Sequence, residues 1–228
     1  MICLFDRILL KLAIFLEDWA LSVKKRARRK ALEKFLLKYN LRDGLFKKKT
    51  DRRYNSYEGT NLLLIDELIR SGELNPEEKI MDIGCGAGIF MIYLASRGFK
   101  NLCGVEMDAE LFSLCKENIG NFRAASENFC SMTVKHGNAL ALPPDDDAKC
   151  FYLFNPFFDE QTYRAWLKNV EDSLRRRRRQ IKIILLYPTL AAMAAMNSCG
   201  WLKKKRRIIC RAQVCYICVK FLIYESVI

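Results

Sequence analysis

The sequence predicts an α/β protein, a doubly wound, mostly parallel sheet of seven strands with an N-terminal helical extension. Three observations lead there. From residue 60 onward, short apolar runs alternate with segments of helical spacing, the pattern of strands joined by crossover helices. A glycine-rich turn, "MDIGCGAGIF" at residues 81–90, leads from the first strand into a helix. Glu106 ends the second strand, 24 residues after Asp82. In such a sheet, ligands bind beyond the carboxyl ends of the strands, where strand order reverses.

The elements follow in order. Residues 60–71 read as a helix ending at Ser71-Gly72, Lys79 to Ile83 as a buried strand, and Ala87 to Arg97 as a helix stopped by Gly98. "NLCGVEM" is the second strand, and residues 109–119 are the next helix. "CSMTVKHG" gives a third strand and "KCFYLF" a fourth, and residues 160–174 are helical. "QIKIILL" is the fifth strand and residues 189–198 a helix, and the tail from 206 to 224 suits two more strands. Residues 1–54 form the extension and 55–228 the main domain.

Composition bounds the partners and the compartment. With 51% hydrophobic residues the chain can fill a core, and 228 residues suit one domain with an appendage. The ten cysteines do not form a short secreted framework, and no cleavable signal is evident. Most, including Cys103, Cys130, Cys150 and Cys210, sit in apolar runs as small hydrophobes. The expected setting is reducing and cytoplasmic. Cys210, Cys215 and Cys218 cluster, but a spacing of three on a strand puts Cys215 and Cys218 on opposite faces, so no metal site is expected.

Charge is uneven. Residues 1–60 hold 16 Lys and Arg against 7 Asp and Glu, a balance of +9 within a net +13. An anionic partner is implied, either nucleic acid or a membrane surface. Residues 1–23 are apolar at helical spacing, yet their longest uncharged run, Leu12 to Leu16, is far short of the ~20 residues a span needs. Followed by the basic "KKRARRKALEKFLLKYN", they could lie on a membrane surface, cap the domain or make a dimer contact.

The glycine turn carries the chemistry. Gly84, Gly86 and Gly88 let the backbone approach a ligand without Cβ obstruction, and Glu106 can accept both hydroxyls of a ribose. A dinucleotide site prefers G-x-G-x-x-G, with a helix N-terminus on a pyrophosphate. This chain has G-x-G-x-G preceded by Asp82 on the strand. That arrangement resembles motif I of class I S-adenosylmethionine (SAM) methyltransferases, a likeness extending over residues 55–228. The resemblance implies a Rossmann-like fold with SAM as cofactor. It implies that Asp82 and the loop of Gly84, Cys85, Gly86 and Gly88 hold the cofactor's amino-acid end. Glu106 would take the ribose, Met107 would cover the adenine, and Asn138, beside Ala139, would accept from the adenine amino group. The family commonly has Asp where Asn138 stands, so this contact loses its charge. His136, the only histidine, reads as a strand-end residue.

"FNPFF" at 154–158 follows the fourth strand. It is similar to the Asn-Pro-Pro-Tyr/Phe clamp of the amino-methylating members, in which the Asn oxygen and the first proline's carbonyl accept the amine hydrogens and the aromatic stacks on the acceptor. The likeness makes Asn155, Pro156 and Phe158 the catalytic group, with Phe157 in place of the second proline at a cost in rigidity. A plain turn after a strand is the simpler reading of Asn-Pro.

The pattern also resembles a bacterial group of these methyltransferases with mostly unassigned substrates. The likeness lies in Tyr57-Glu58-Gly59-Thr60, Phe154-Asn155-Pro156-Phe157 and Tyr187-Pro188. The expected activity is methyl transfer to an amine nitrogen, on RNA or another nucleic acid held by basic residues 24–53. A protein side-chain amine is the alternative acceptor, and a non-catalytic SAM-fold binding module is a third reading. "RRRRR" at 175–179 and "KKKRR" at 203–207 precede strands, which places them at the end of the sheet opposite the cofactor.

Overall fold

The computed structural model describes residues 26–43 (apart from residue 28), 61–210 and 218–227. Residues 1–23, the segment Tyr57 to Thr60, most of the basic stretch beyond residue 43, and the side chains of Cys210, Cys215 and Cys218 lie outside the described residues. A first helix, α1, occupies residues 29–38. There follow α2 (Leu62–Arg70), β1 (Lys79–Ile83), α3 (Ile89–Ser96), β2 (Asn101–Glu106), α4 (Ala109–Ala125), β3 (Ser131–His136) and β4 (Cys150–Leu153). The remainder is α5 (Glu160–Arg176), β5 (Lys182–Leu186), α6 (Leu190–Asn197), β6 (Leu202–Cys210) and β7 (Cys218–Ser226).

The seven strands form one sheet in the order β3-β2-β1-β4-β5-β7-β6. β1 to β5 are parallel, and β7 runs antiparallel between β5 and β6. The order reverses between β1 and β4, whose register sets Asp82 beside Tyr152. This is the Rossmann-like methyltransferase architecture. Its crevice lies beyond the carboxyl ends of β1 and β4.

Alternation along the strands divides the core in two. Ile80, Leu102, Tyr152, Ile184 and Ile223 face α1 to α4, whereas Met81, Cys103, Phe151, Ile183 and Leu222 face α5 and α6. α5 reads directly from sequence. Asp159 caps it by accepting from Thr162 N at 2.8 Å, Arg175 and Arg176 occupy its last turn, and Tyr163, Trp166, Leu167 and Val170 are its buried stripe. α1 joins the first core layer. Phe35 meets Tyr93 edge-on at 5.0 Å, and Tyr39 packs on Phe122 at 5.0 Å.

Two boundaries differ most from the sequence reading. α4 runs six residues beyond the expected 119, to Ala125, because Phe122 extends the stripe of Leu111, Cys115 and Ile119 and is wholly buried. That burial outweighs the ~1 kcal/mol helix cost of Gly120. β6 begins at Leu202, so "KKKRR" lies within the edge strand rather than before it. Leu202 is buried opposite Ser226, while an edge strand leaves room for the lysines to stay exposed and to discourage further strand pairing.

Candidate active site

The glycine turn is held by the second strand. Val105 O accepts from both Gly84 N (2.9 Å) and Cys85 N (3.0 Å), and Gly88 N closes the turn on Cys85 O at 2.9 Å. Gly84 and Gly88 have φ of 79°, a left-handed conformation that glycine adopts without a Cβ penalty. Packing adds a second demand at Gly88, where a Cβ would stand 2.6 Å from Cys115 Sγ. Cys85 and Cys115 are buried against one another, and their hydrogen bond together with burial pushes the Cys85 thiol well up. That cysteine serves as packing.

Glu106 lies across the turn. One carboxylate oxygen accepts from Gly86 N and the other from Asp108 N, both at 2.8 Å. A carboxylate has about four lone-pair sites, so the group keeps capacity to accept from a hydroxyl. Asp82 is buried on the same face of the sheet, and burial, then the nearby Glu106, raises its carboxyl well above the usual range. Burial also raises Glu106, against the pull of the backbone N–H groups. Two carboxyls sharing a desolvated crevice suit a ligand that brings positive charge and hydroxyl donors.

The end of β3 completes this side. Gly137 N donates to Glu106 O at 2.9 Å, and His136 Nε2 lies 3.2 Å from Met107 O with its ring stacked on Phe112. Met107 is 40% exposed, in keeping with a cover over a flat group. The Asn138 side-chain oxygen accepts from Leu140 N at 2.9 Å in a tight local turn, so one of its lone pairs is spent within the loop. Ala139 packs on the second core layer, and Asn169 Nδ2 donates to Leu140 O at 2.8 Å, tying this loop to α5.

After β4 the chain turns sharply. Asn155 has φ of 46° and so does Tyr187, at the matching position after β5. Asn155 Nδ2 donates to Tyr187 O at 2.9 Å, which orients the amide plane. Pro156 abuts the glycine turn. Phe157 is 2% exposed, meeting Tyr163 edge-on at 5.1 Å and packing near Trp166. The rigidity expected to be lost with the second proline is therefore supplied by a buried anchor. Phe158 is 57% exposed beside the turn.

Tyr187 and Tyr152 were not assigned site roles from sequence. Tyr152 stacks on Phe90 with centroids 3.7 Å apart and planes 9° apart, and its hydroxyl is buried without a hydrogen-bond partner among the described residues. Register alone could have flagged it, since Tyr152 falls opposite Asp82.

The basic runs divide. Arg179 is structural, donating to the carbonyls of Ala148, Ser173, Arg177 and Asp145 and to Ser173 Oγ. Arg176 pairs with Asp146 at 2.8 Å. Lys205 and Arg206 reach the buried Glu73, with Arg206 at 3.2 Å, and hold its carboxyl below the usual range even though burial works to raise it. Arg177, Arg178, Lys203, Lys204 and Arg207 remain exposed. No described helix is long and apolar enough to cross a membrane.

Comparison with known proteins agrees with this architecture. Residues 80–177 match a family described as "Methyltransferase domain". The human EEF1A lysine methyltransferase 2 is 22% identical over 134 residues, covering 57% of this chain and 50% of that protein. The chain thus spans about half the length of the curated relatives it matches. Among solved structures, an RNA methyltransferase from Salinibacter ruber in complex with S-adenosyl-L-homocysteine superimposes with a TM-score of 0.51 at 12% identity. That match covers 74% of this chain and 92% of that one. TrmN from Thermus thermophilus gives 0.53 at 13% identity, covering 74% of this chain and 49% of that one. At such identities the structures speak for the fold. Residues 80–177 thus resemble a methyltransferase domain, and the sheet around them has the Rossmann-like fold of the solved methyltransferases.

Proposed function

We propose that this chain transfers the methyl group of SAM to an amine-type nitrogen carried by RNA or another nucleic acid. The observation that carries the chemistry is Asn155, held in a left-handed turn by its bond to Tyr187 O and packed through Pro156 against the glycine turn. The residues present fit the cofactor. Asp82 suits an ammonium and Glu106 a ribose diol, beside a turn whose glycines carry no Cβ. When bound, SAM supplies a methyl carbon activated by a positive sulfur.

The protein's part is placement. A nitrogen whose lone pair is delocalised must be oriented toward the methyl carbon, and the Asn155 oxygen and the Pro156 carbonyl are acceptors suited to the amine hydrogens. Two acceptors would draw electron density onto nitrogen; the N–C bond would form as the methyl carbon's bond to sulfur breaks, its electron pair returning to a neutral thioether, and the nitrogen's proton would pass to solvent. Phe158, exposed at the turn, offers a flat apolar face to the acceptor.

Two features support a nucleic-acid acceptor. The Asn155 to Phe158 motif resembles clamps that take planar amines, and the basic extension leads to this end of the molecule. Buried Asn118 makes that link, accepting from Arg42 N at 2.9 Å and donating to Arg42 O and to Ala87 O in the glycine turn. The named activity of the curated relatives favours a second reading, methylation of a protein lysine.

Transfer of tritiated methyl from SAM into a total extract, followed by nuclease or protease digestion, separates the two. Nuclease-released label is expected, and it should vanish with Asn155→Gly, a variant that tolerates the positive φ. Label released only by protease would replace nucleic acid with a side-chain amine.

A further inference from the structure

Tyr152 is a buried polar side chain that the site as described leaves without a task. It is 2% exposed, stands opposite Asp82 across the β1–β4 pair, and stacks flat on Phe90, the second residue of α3. Its hydroxyl is buried and has no hydrogen-bond partner among the described residues. Phenylalanine would keep the stacking and avoid the cost of a desolvated hydroxyl, so the oxygen at this place calls for a partner from outside.

Its surroundings define that partner. Burial, then the charges of Asp82 and Tyr187, push the phenol well above its ordinary range, so it stays protonated and acts as a donor. The hydroxyl therefore stands near an acid that wants a cation, while itself wanting an acceptor. The start of α3, close by through Phe90, adds the positive end of a helix dipole. A ligand carrying an ammonium and a carboxylate on one carbon meets both demands, and one lacking these groups does not.

We infer that Tyr152 is a specificity-determining residue of the cofactor site, donating its hydroxyl hydrogen to the carboxylate of the cofactor's amino-acid end while Asp82 faces the ammonium. This rests on the SAM-binding reading above. It gives the site a means of distinguishing the whole cofactor from nucleosides that lack the amino-acid end.

The test is calorimetry on the full chain with two probes, S-adenosylhomocysteine and 5′-methylthioadenosine, which shares the nucleoside and thioether but has no amino-acid end. Tyr152→Phe is expected to weaken S-adenosylhomocysteine by roughly tenfold or more, the scale of a hydrogen bond to a charged group, and to leave methylthioadenosine within about twofold. Melting of the ligand-free variant should stay level or rise, because an unsatisfied hydroxyl has been removed. Unchanged affinity for S-adenosylhomocysteine would overturn the assignment, as would an equal loss for both probes or a lowered melting temperature, either of which would make the hydroxyl structural. A wild-type chain that binds neither probe would sink the SAM reading itself, whereas normal wild-type binding matched by Tyr152→Phe would sink only the role of the hydroxyl.

Discussion

Gly84 and Pro156 hold each other in place: a Cβ on Gly84 would come within 3.1 Å of the Cβ of Pro156. The glycine turn after β1 and the Asn155-Pro156 turn after β4 thus lie against each other, so a side chain added to the first would press on the second.

Gly84→Ala tests this coupling. The position has φ of 79°, so the variant bears ~1–2 kcal/mol of left-handed strain and must also push Pro156 away. A lower melting temperature and weaker S-adenosylhomocysteine binding are expected, with turnover lost beyond what saturating cofactor restores. Full recovery of turnover at saturation would show that the two turns move independently.

Restoring the second proline should harm the protein. Phe157→Pro removes a side chain packed against Tyr163 and Trp166. Large-to-small changes at such aromatic sites cost about 3–5 kcal/mol. Chemical denaturation should show a loss on that scale, and a variant as stable as wild type would mean that Phe157 is not the anchor of the turn.

Glu106→Gln keeps the shape and removes the charge. The bonds from Gly86 N and Asp108 N can persist at one oxygen only, and the group's capacity to accept from a diol is reduced. S-adenosylhomocysteine affinity should fall about tenfold, on the ~1.5–3 kcal/mol scale of hydrogen bonds to charged groups. Calorimetry giving wild-type affinity would remove Glu106 from the ribose contact.

Asp82 sets a pH dependence of stability. Its folded carboxyl is raised well above the ordinary value of 3.8, by burial first and by Glu106 second. A raised group contributes stability that is fully present below the unfolded value and is lost as pH rises through the folded one. The ligand-free protein should therefore lose stability from the ordinary carboxylate range upward, and Asp82→Asn should flatten that decline while weakening cofactor binding. Melting curves for both proteins across that range decide it, and parallel curves would place the titration elsewhere.

Much of the fold was legible because its signals are local. Buried strands read as short apolar runs, and the glycine turn with Asp82 and Glu106 has fixed spacing along the chain. Less was legible where burial competes with local preference. The helix expected over 109–119 continues to Ala125 because Phe122 enters the core, and the lysines of "KKKRR" hid an edge strand that pairs with β7.

By itself the sequence determined the α/β class, the order of its elements and the residues that line the carboxyl ends of the parallel strands. Each follows from periodicity, glycine geometry and spacing within a short stretch of chain. Tertiary structure alone decided which of those residues lean on one another. The approach of Gly84 to Pro156, the bond from Asn155 to Tyr187 and the placing of Tyr152, whose hydroxyl has no partner among the described residues, opposite Asp82 join residues 32 to 72 positions apart. Such pairings are set by strand order and register, which the chain fixes only when the whole sheet closes.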